Sequence, residues 1–111
     1  MINKFLQYLQ YEKNYSSHTV LSYQTDLLQF CDFLSVNSLD FSPAGVTPVE
    51  IRQWVMHLIN NKYTAISVSR KISALKSFWH FLLIHGLAEK NPTLNIVLPK
   101  TKKLLPAFYK Q

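Results

Sequence analysis

Cysteine, glycine, acidic residues and long apolar runs are all scarce in this sequence of 111 residues. Its single cysteine, Cys31, excludes a disulfide framework and a multi-cysteine zinc site. The chain has only two glycines, and no Asn-Gly or Asp-Gly pair marks a β-hairpin. No apolar run approaches the about 20 residues that a membrane span requires, and the first residues lack the apolar core of a signal peptide. We therefore expect a helical protein of the reducing cytoplasm with no membrane partner.

The residues that are present favour one basic globular domain. Apolar residues make up 48% of the chain and charged residues 16%, a composition typical of a folded protein. Twelve lysines and arginines stand against six acids, and residues 62–88 hold four cations and no acid. The net charge of +6 indicates a polyanionic partner, nucleic acid before membrane, with a merely solubilising surface as the alternative.

Apolar periodicity and capping signals predict an all-α fold of four helices. The first covers residues 2–12, and the second follows a break at residues 14–17, where Ser16 or Ser17 caps it. After a loop at residues 37–46, the third begins with a capping box at residues 47–50 and ends near residues 60–61. The fourth covers residues 64–85, before a glycine that fits the left-handed C′ position. The predicted core residues are Phe5, Leu6, Leu9, Val20, Leu27, Cys31, Leu34, Ile51, Val55, Leu58, Ile59, Val68, Ile72, Leu75, Trp79 and Leu82.

The sequence changes character after Asn91 and Pro92. Two further prolines bracket a lysine-rich stretch at residues 100–103. Proline disfavours helix at the residue before it, and such a composition is typical of linkers. We therefore predict an extended basic tail here rather than core.

Groups that could perform catalysis are not arranged for it. Asp26 and Asp32 do not share a helix face, and the four histidines lack the spacing of metal ligands. Cys31 lies among apolar residues and is interpreted as an inert core thiol. No glycine-rich phosphate loop is present. The chain itself is predicted to be no enzyme and to need neither a metal ion nor a cofactor.

The fourth predicted helix carries the clearest candidate for binding. Opposite its apolar stripe lies a face of small residues around one arginine, namely Ser67, Arg70, Ser73, Ala74 and Ser77. Small side chains allow close approach to a nucleic acid, serines donate to phosphate, and arginine binds a phosphate or a guanine edge. Lys71 and Lys76 are predicted to flank this face and to contact further phosphates. The alternatives are an ordinary exposed face or a seam that packs against another helix.

The start of the second helix is a second candidate surface. It is polar and nearly uncharged, with Ser17, His18, Thr19, Ser22 and Thr25 along its first turns. Hydroxyl and free N–H groups at a helix N-terminus suit a phosphate group. Plain helix capping, which needs only one serine, is the alternative.

Three segments in order resemble a known family. The first consists of Phe5, Leu6, Tyr8, Leu9, Glu12, Lys13, Ser16, Thr19, Tyr23, Asp26, Leu27, Phe30, Phe33 and Leu34. The second is SVSRKISALKSF at residues 67–78, and the third pairs Asn91-Pro92 with Leu98-Pro99-Lys100 and Leu105-Pro106. Together they resemble the N-terminal core-binding domain of tyrosine recombinases of the phage-integrase and Xer type.

This resemblance implies a compact four-helix SAM-like DNA-binding domain at residues 1–98. Residues 99–111 would be the linker to an absent catalytic domain, which holds the tyrosine nucleophile and cleaves and rejoins DNA strands. Its implied partners are a double-stranded recombination half-site and other protomers in a tetramer, whereas the isolated domain would be a monomer. The expected location is the cytoplasm, with the nucleoid. Together, the helix faces and the resemblance predict DNA contacts for Ser17, His18, Thr19, Ser22, Ser67, Arg70, Lys71, Ser73, Lys76, Ser77, Lys100, Lys102 and Lys103.

A second function stays open at this point. SAM-like helical bundles also serve as small all-α protein–protein interaction modules, and the basic surface would then only aid solubility. Salt dependence separates the two functions, since DNA binding weakens steeply with salt.

Overall fold

Four α-helices carry the regular structure, as the apolar periodicity predicts. The computed structural model describes residues 2–36, 41–94 and 96. The helices are α1 (Ile2–Tyr11), α2 (Ser17–Phe33), α3 (Pro48–Asn60) and α4 (Ala65–Ile84), with a short 3-10 turn at Pro43–Gly45 before α3. The all-α fold class is confirmed, and no helix in these described ranges is long and apolar enough to cross a membrane.

Local capping interactions set the helix ends. Ser16, rather than Ser17, caps α2, because its Oγ accepts the Thr19 N–H at 3.2 Å. The predicted capping box of α3 is present, and the Glu50 carboxylate accepts the Thr47 N–H at 2.9 Å. These contacts satisfy backbone donors that the first helical turn leaves free. After α4, Gly86 has a φ of +69°, which confirms the predicted left-handed end.

The core is built around α4, which packs against α1, α2 and α3. All five predicted core residues of α4 are buried, namely Val68, Ile72, Leu75, Trp79 and Leu82. Phe5 of α1 packs against Phe78 and Phe81, with ring centroids 5.4 and 5.5 Å apart. Aromatic rings at these distances add to the burial that stabilises the fold.

Two core predictions on α3 need correction. Ile59 is 43% exposed, although it was expected in the core. Trp54, which was not expected there, is 1% exposed and packs against Phe30 with ring centroids 5.0 Å apart. Trp54 lies between Ile51 and Leu58 on the inner face, whereas Ile59 is turned about 100° from Leu58.

The core continues after α4. Thr93 and Ile96 are 1% and 5% exposed, so residues beyond Pro92 pack on the bundle, within the predicted domain. Asn91 Oδ1 accepts the Thr93 N–H at 2.9 Å, which turns the chain back onto the bundle. The predicted domain limit at residue 98 and the predicted linker at residues 99–111 lie outside the described residues.

Candidate nucleic-acid interface

A groove between α2 and α4 gathers side chains from both predicted surfaces. Thr19 and Ser22 come from α2, and Arg70 and Ser73 come from α4. These four residues were predicted from separate helices, and packing of α2 against α4 brings them together. Tyr23, Asp26 and Ala74 complete the lining. We call this set of seven residues the α2–α4 groove.

Two residues of the predicted α4 face are buried rather than exposed. Ala74 is 2% exposed and Lys71 is 3% exposed. The expectation that Lys71 flanks the open face is therefore corrected. Because three helices pack on α4, its buried arc is wider than the single apolar stripe from which the face was drawn.

Lys71 is held in the interior by polar partners on α2. Its Nζ donates to Asp26 Oδ1 at 2.9 Å and also to Gln29 Oε1. The Asp26 side chain is only 3% exposed, so this is a buried ion pair. The Tyr63 ring lies beside the same ammonium, 5.4 Å from centroid to Nζ. A buried charge needs such partners, because water no longer solvates it.

Arg70, the neighbour of Lys71 in sequence, has the opposite environment. Its side chain is 62% exposed, and its Nη2 lies 3.7 Å from Asp26 Oδ1. This distance is longer than a hydrogen bond, whereas Lys71 reaches the same oxygen at 2.9 Å. The single Asp26 carboxylate thus lies near two cations, Lys71 and Arg70. The net charge of the three groups is positive, and the exposed part of it is the Arg70 guanidinium.

The hydroxyl groups around the groove are held by local hydrogen bonds. Ser22 Oγ donates to the His18 carbonyl oxygen at 3.1 Å, and Thr19 Oγ1 lies 3.0 Å from Ser16 Oγ. At the start of α4, Thr64 Oγ1 donates to Ser67 Oγ at 3.1 Å. Hydroxyl groups can rotate, so each can exchange a local partner for an external oxygen atom.

The other predicted contact residues that the structure describes do not line the α2–α4 groove. Ser17 and His18 are exposed at the start of α2, and Ser67, Lys76 and Ser77 are half-buried along α4. The predicted contacts at Lys100, Lys102 and Lys103 lie outside the described residues.

Sequence reasoning missed the residues that hold Lys71. Asp26 was weighed as a catalytic acid and as part of the family resemblance, not as a partner of Lys71. Gln29 and Tyr63 were not considered. A signal was present, since Asp26 is an acid directly beside the predicted core residue Leu27. An acid at such a position predicts a cation on a packed neighbour, but it does not say which one.

No cluster of metal-ligand side chains accompanies the groove in the part of the chain that the structure describes. In residues 2–36, 41–94 and 96, no three histidine, cysteine or acidic side chains lie together as metal ligands would. Cys31 is buried, as predicted, and burial, followed by the nearby Asp32 carboxylate, raises the pKa of its thiol. A protonated, buried thiol is a poor nucleophile.

Comparison with known proteins agrees with the resemblance. Residues 2–86 match the family model described as "Phage integrase, N-terminal SAM-like domain". The chain is 44% identical over 110 residues to the tyrosine recombinase XerC of Oceanobacillus iheyensis and 41% identical over 105 residues to XerD of Rickettsia bellii. These alignments cover 99% and 95% of this chain.

The chain spans about a third of the length of these relatives, 36% of XerC and 34% of XerD. A solved integrase from mycobacterium phage Brujita has the same fold, with a TM-score of 0.77 at 20% identity. That alignment covers 96% of this chain and 34% of the integrase. By its sequence match over residues 2–86 and its four-helix architecture, the chain belongs to the family of phage-integrase N-terminal SAM-like domains found in tyrosine recombinases.

Proposed function

We propose that the chain binds double-stranded DNA, as the DNA-gripping N-terminal domain of a site-specific tyrosine recombinase. The observation that carries this proposal is the α2–α4 groove, where hydroxyl groups from two helices meet one exposed guanidinium. Serine, threonine and arginine are among the side chains that contact phosphate oxygens in DNA complexes. Arg70 is the residue in the groove that can also read a guanine edge.

The charge distribution supports the same ligand. The chain carries a net charge of +6, and residues 62–88, which include α4, contain no acid. Asp26, the acid that does reach the groove, is buried and paired with Lys71. A phosphate group at the groove therefore meets positive potential without an opposing exposed carboxylate.

The parent recombinase would perform its chemistry with other residues. In this proposal the chain binds a recombination half-site, and a separate catalytic domain cleaves and rejoins the strands. Lys100, Lys102 and Lys103 would follow the DNA backbone between the two domains. Protomers would assemble as a tetramer on two DNA sites, in the cytoplasm with the nucleoid.

Duplex binding at two salt concentrations tests the proposal directly. We expect wild-type affinity to fall by about one log unit per log unit of salt for each phosphate neutralised. Arg70→Ala should weaken binding about tenfold, because it removes a charge-assisted contact. Arg52→Ala is the matched control, since it removes the same charge from an exposed position on α3, outside the groove.

Equal losses from both arginine variants would argue for a diffuse charge effect and against the groove. Absence of salt-sensitive duplex binding by the 111-residue chain would overturn its proposed role as a DNA-binding domain.

One observation favours the second candidate, a protein–protein interaction module. The outer face of α3 exposes Val49, Met56 and Ile59, which are 51%, 56% and 43% accessible. Exposed apolar residues grouped on one face are typical of protein contacts. A module of this kind would show no affinity for duplex DNA, so the same titration separates the two functions.

A further inference from the structure

The proposed DNA contact of Arg70 depends on how Asp26 is compensated. Asp26 Oδ1 is shared by two cations, Lys71 at 2.9 Å and Arg70 at 3.7 Å. Lys71 is buried and cannot reach a ligand outside the protein, whereas Arg70 is 62% exposed. The two residues are adjacent in α4 and turned about 100° from each other, so one faces the interior and the other faces the groove.

We propose that Lys71 is a positioning residue, which neutralises Asp26 and thereby leaves Arg70 available to a phosphate group. The inference rests on the proposed function, because it concerns how that site keeps its charge. It changes the role expected for Lys71, which acts on DNA affinity through Asp26 and Arg70 and not by direct contact.

Electrostatics explains why the second cation matters. A buried carboxylate without a counter-charge attracts the nearest guanidinium, because little water screens the two charges. Arg70 already forms a long ion pair with Asp26, at 3.7 Å, so a small rotation would bring its guanidinium to hydrogen-bond distance. The Lys71 ammonium neutralises the Asp26 carboxylate at 2.9 Å and so weakens its attraction for Arg70. Gln29 and Tyr63 hold the ammonium in place.

A matched pair of variants isolates this effect. Lys71→Gln keeps a side chain that can donate to Asp26 but removes the charge. Asp26→Asn/Lys71→Gln has the same glutamine and also removes the carboxylate that would capture Arg70. Lys90→Gln, at an exposed position beyond α4, controls for the loss of one positive charge elsewhere.

The first readout needs no DNA. Phenylglyoxal modifies accessible guanidinium groups, and peptide mass mapping reports each arginine separately. The chain has only two arginines, so the exposed Arg52 is an internal reference for Arg70. We expect Lys71→Gln to slow modification of Arg70 relative to Arg52 by about threefold, the size of an exposed ion pair. The Asp26→Asn/Lys71→Gln variant should react within about twofold of wild type, since no carboxylate remains to capture Arg70.

The second readout is duplex affinity at low salt. Lys71→Gln should weaken binding about threefold, and adding Asp26→Asn should restore it, although Lys71 is absent from both variants. Lys90→Gln should leave the Arg70 modification rate unchanged. A direct Lys71–DNA contact instead predicts that both Lys71 variants bind equally weakly and that Arg70 reactivity does not change.

The two readouts separate failure of this inference from failure of the proposed function. An Arg70 rate in Lys71→Gln equal to wild type overturns the inference, whatever the affinities are. If the modification rates change as expected but neither wild type nor any variant binds duplex DNA, the role of Lys71 in neutralising Asp26 is supported and the DNA-binding function is overturned. Circular dichroism verifies that each variant is folded.

If Lys71→Gln does not fold, the double variant still decides the matter. A rate more than about threefold above wild type would show that Asp26 already holds Arg70 in the wild-type protein and would contradict the inference. A rate and a duplex affinity both close to those of wild type would support it, because a direct Lys71–DNA contact predicts weak binding by this variant.

Discussion

The side of α4 that packs on α1 and the side that packs on α2 carry side chains of different kinds. Against α1, α4 presents Phe78 and Phe81, which pack on Phe5 in an aromatic seam. Against α2, it presents Lys71, which pairs with Asp26, one of the residues that line the α2–α4 groove. Burial of aromatic rings stabilises a fold directly, whereas a buried ion pair adds little net stability because both charges lose water. The aromatic seam therefore stabilises the helix bundle, whereas the side that faces α2 contributes to the α2–α4 groove.

The largest effect is expected in the aromatic seam. Phe78 is fully buried, so Phe78→Ala should lower the free energy of unfolding by about 3–5 kcal/mol through lost burial and a residual cavity. Urea denaturation followed by circular dichroism measures this change. Ile84→Ala, at a 60% exposed position of the same helix, should change stability by less than about 0.5 kcal/mol. Similar losses for the two variants would contradict the stabilising role of Phe78 burial in the aromatic seam.

A smaller loss is expected from breaking the ion pair on one side. Asp26→Asn leaves the Lys71 ammonium buried, and we expect it to cost about 2–3 kcal/mol. This loss stays below that of a wholly uncompensated charge because the Gln29 oxygen and the Tyr63 ring remain. Asp26→Asn/Lys71→Gln should recover most of the stability, as measured in the same urea titration. A double variant no more stable than Asp26→Asn would show that the pair itself contributes strongly.

The smallest effect concerns the thiol of Cys31, which is buried on α2. Burial raises the pKa of this thiol, so the folded state keeps a proton that the unfolded chain releases near its ordinary value of 9.0. The stabilising contribution is therefore complete below pH 9.0 and decreases as the pH rises above it. Between neutral pH and pH 10, the free energy of unfolding should fall further for wild type than for Cys31→Ala. We expect the difference between the two decreases to be below about 1 kcal/mol.

Alkylation provides an independent check of the Cys31 prediction. Iodoacetamide should modify native Cys31 much more slowly than the urea-unfolded chain at the same pH. A rate equal to that of the unfolded chain, or a stability difference from Cys31→Ala that does not vary with pH, would disagree with a buried, protonated thiol.

Much of the fold could be predicted because its signals are local. The capping box at Thr47 and Glu50 and the left-handed Gly86 involve residues a few positions apart. The exposure of Ile59 and the burial of Thr93 could not be predicted in the same way, because they depend on which neighbouring segments cover each residue. The site shows the same division. Spacing within each helix identified Arg70 and Ser73 on α4 and Thr19 and Ser22 on α2, but it did not predict that the two pairs line one groove.

Local sequence signals specify the four helices, their ends and the apolar stripe of α4, since periodicity and capping act within one or two helical turns. The basic charge likewise follows from composition and is independent of folding. The inward position of Lys71 and the outward position of Arg70, in contrast, arise from helix packing. That outcome depends on Asp26, 45 positions away from Lys71 in the chain, and on the packing of α2 against α4. A buried Asp26 carboxylate needs a counter-charge, and no local sequence pattern specifies which cation supplies it.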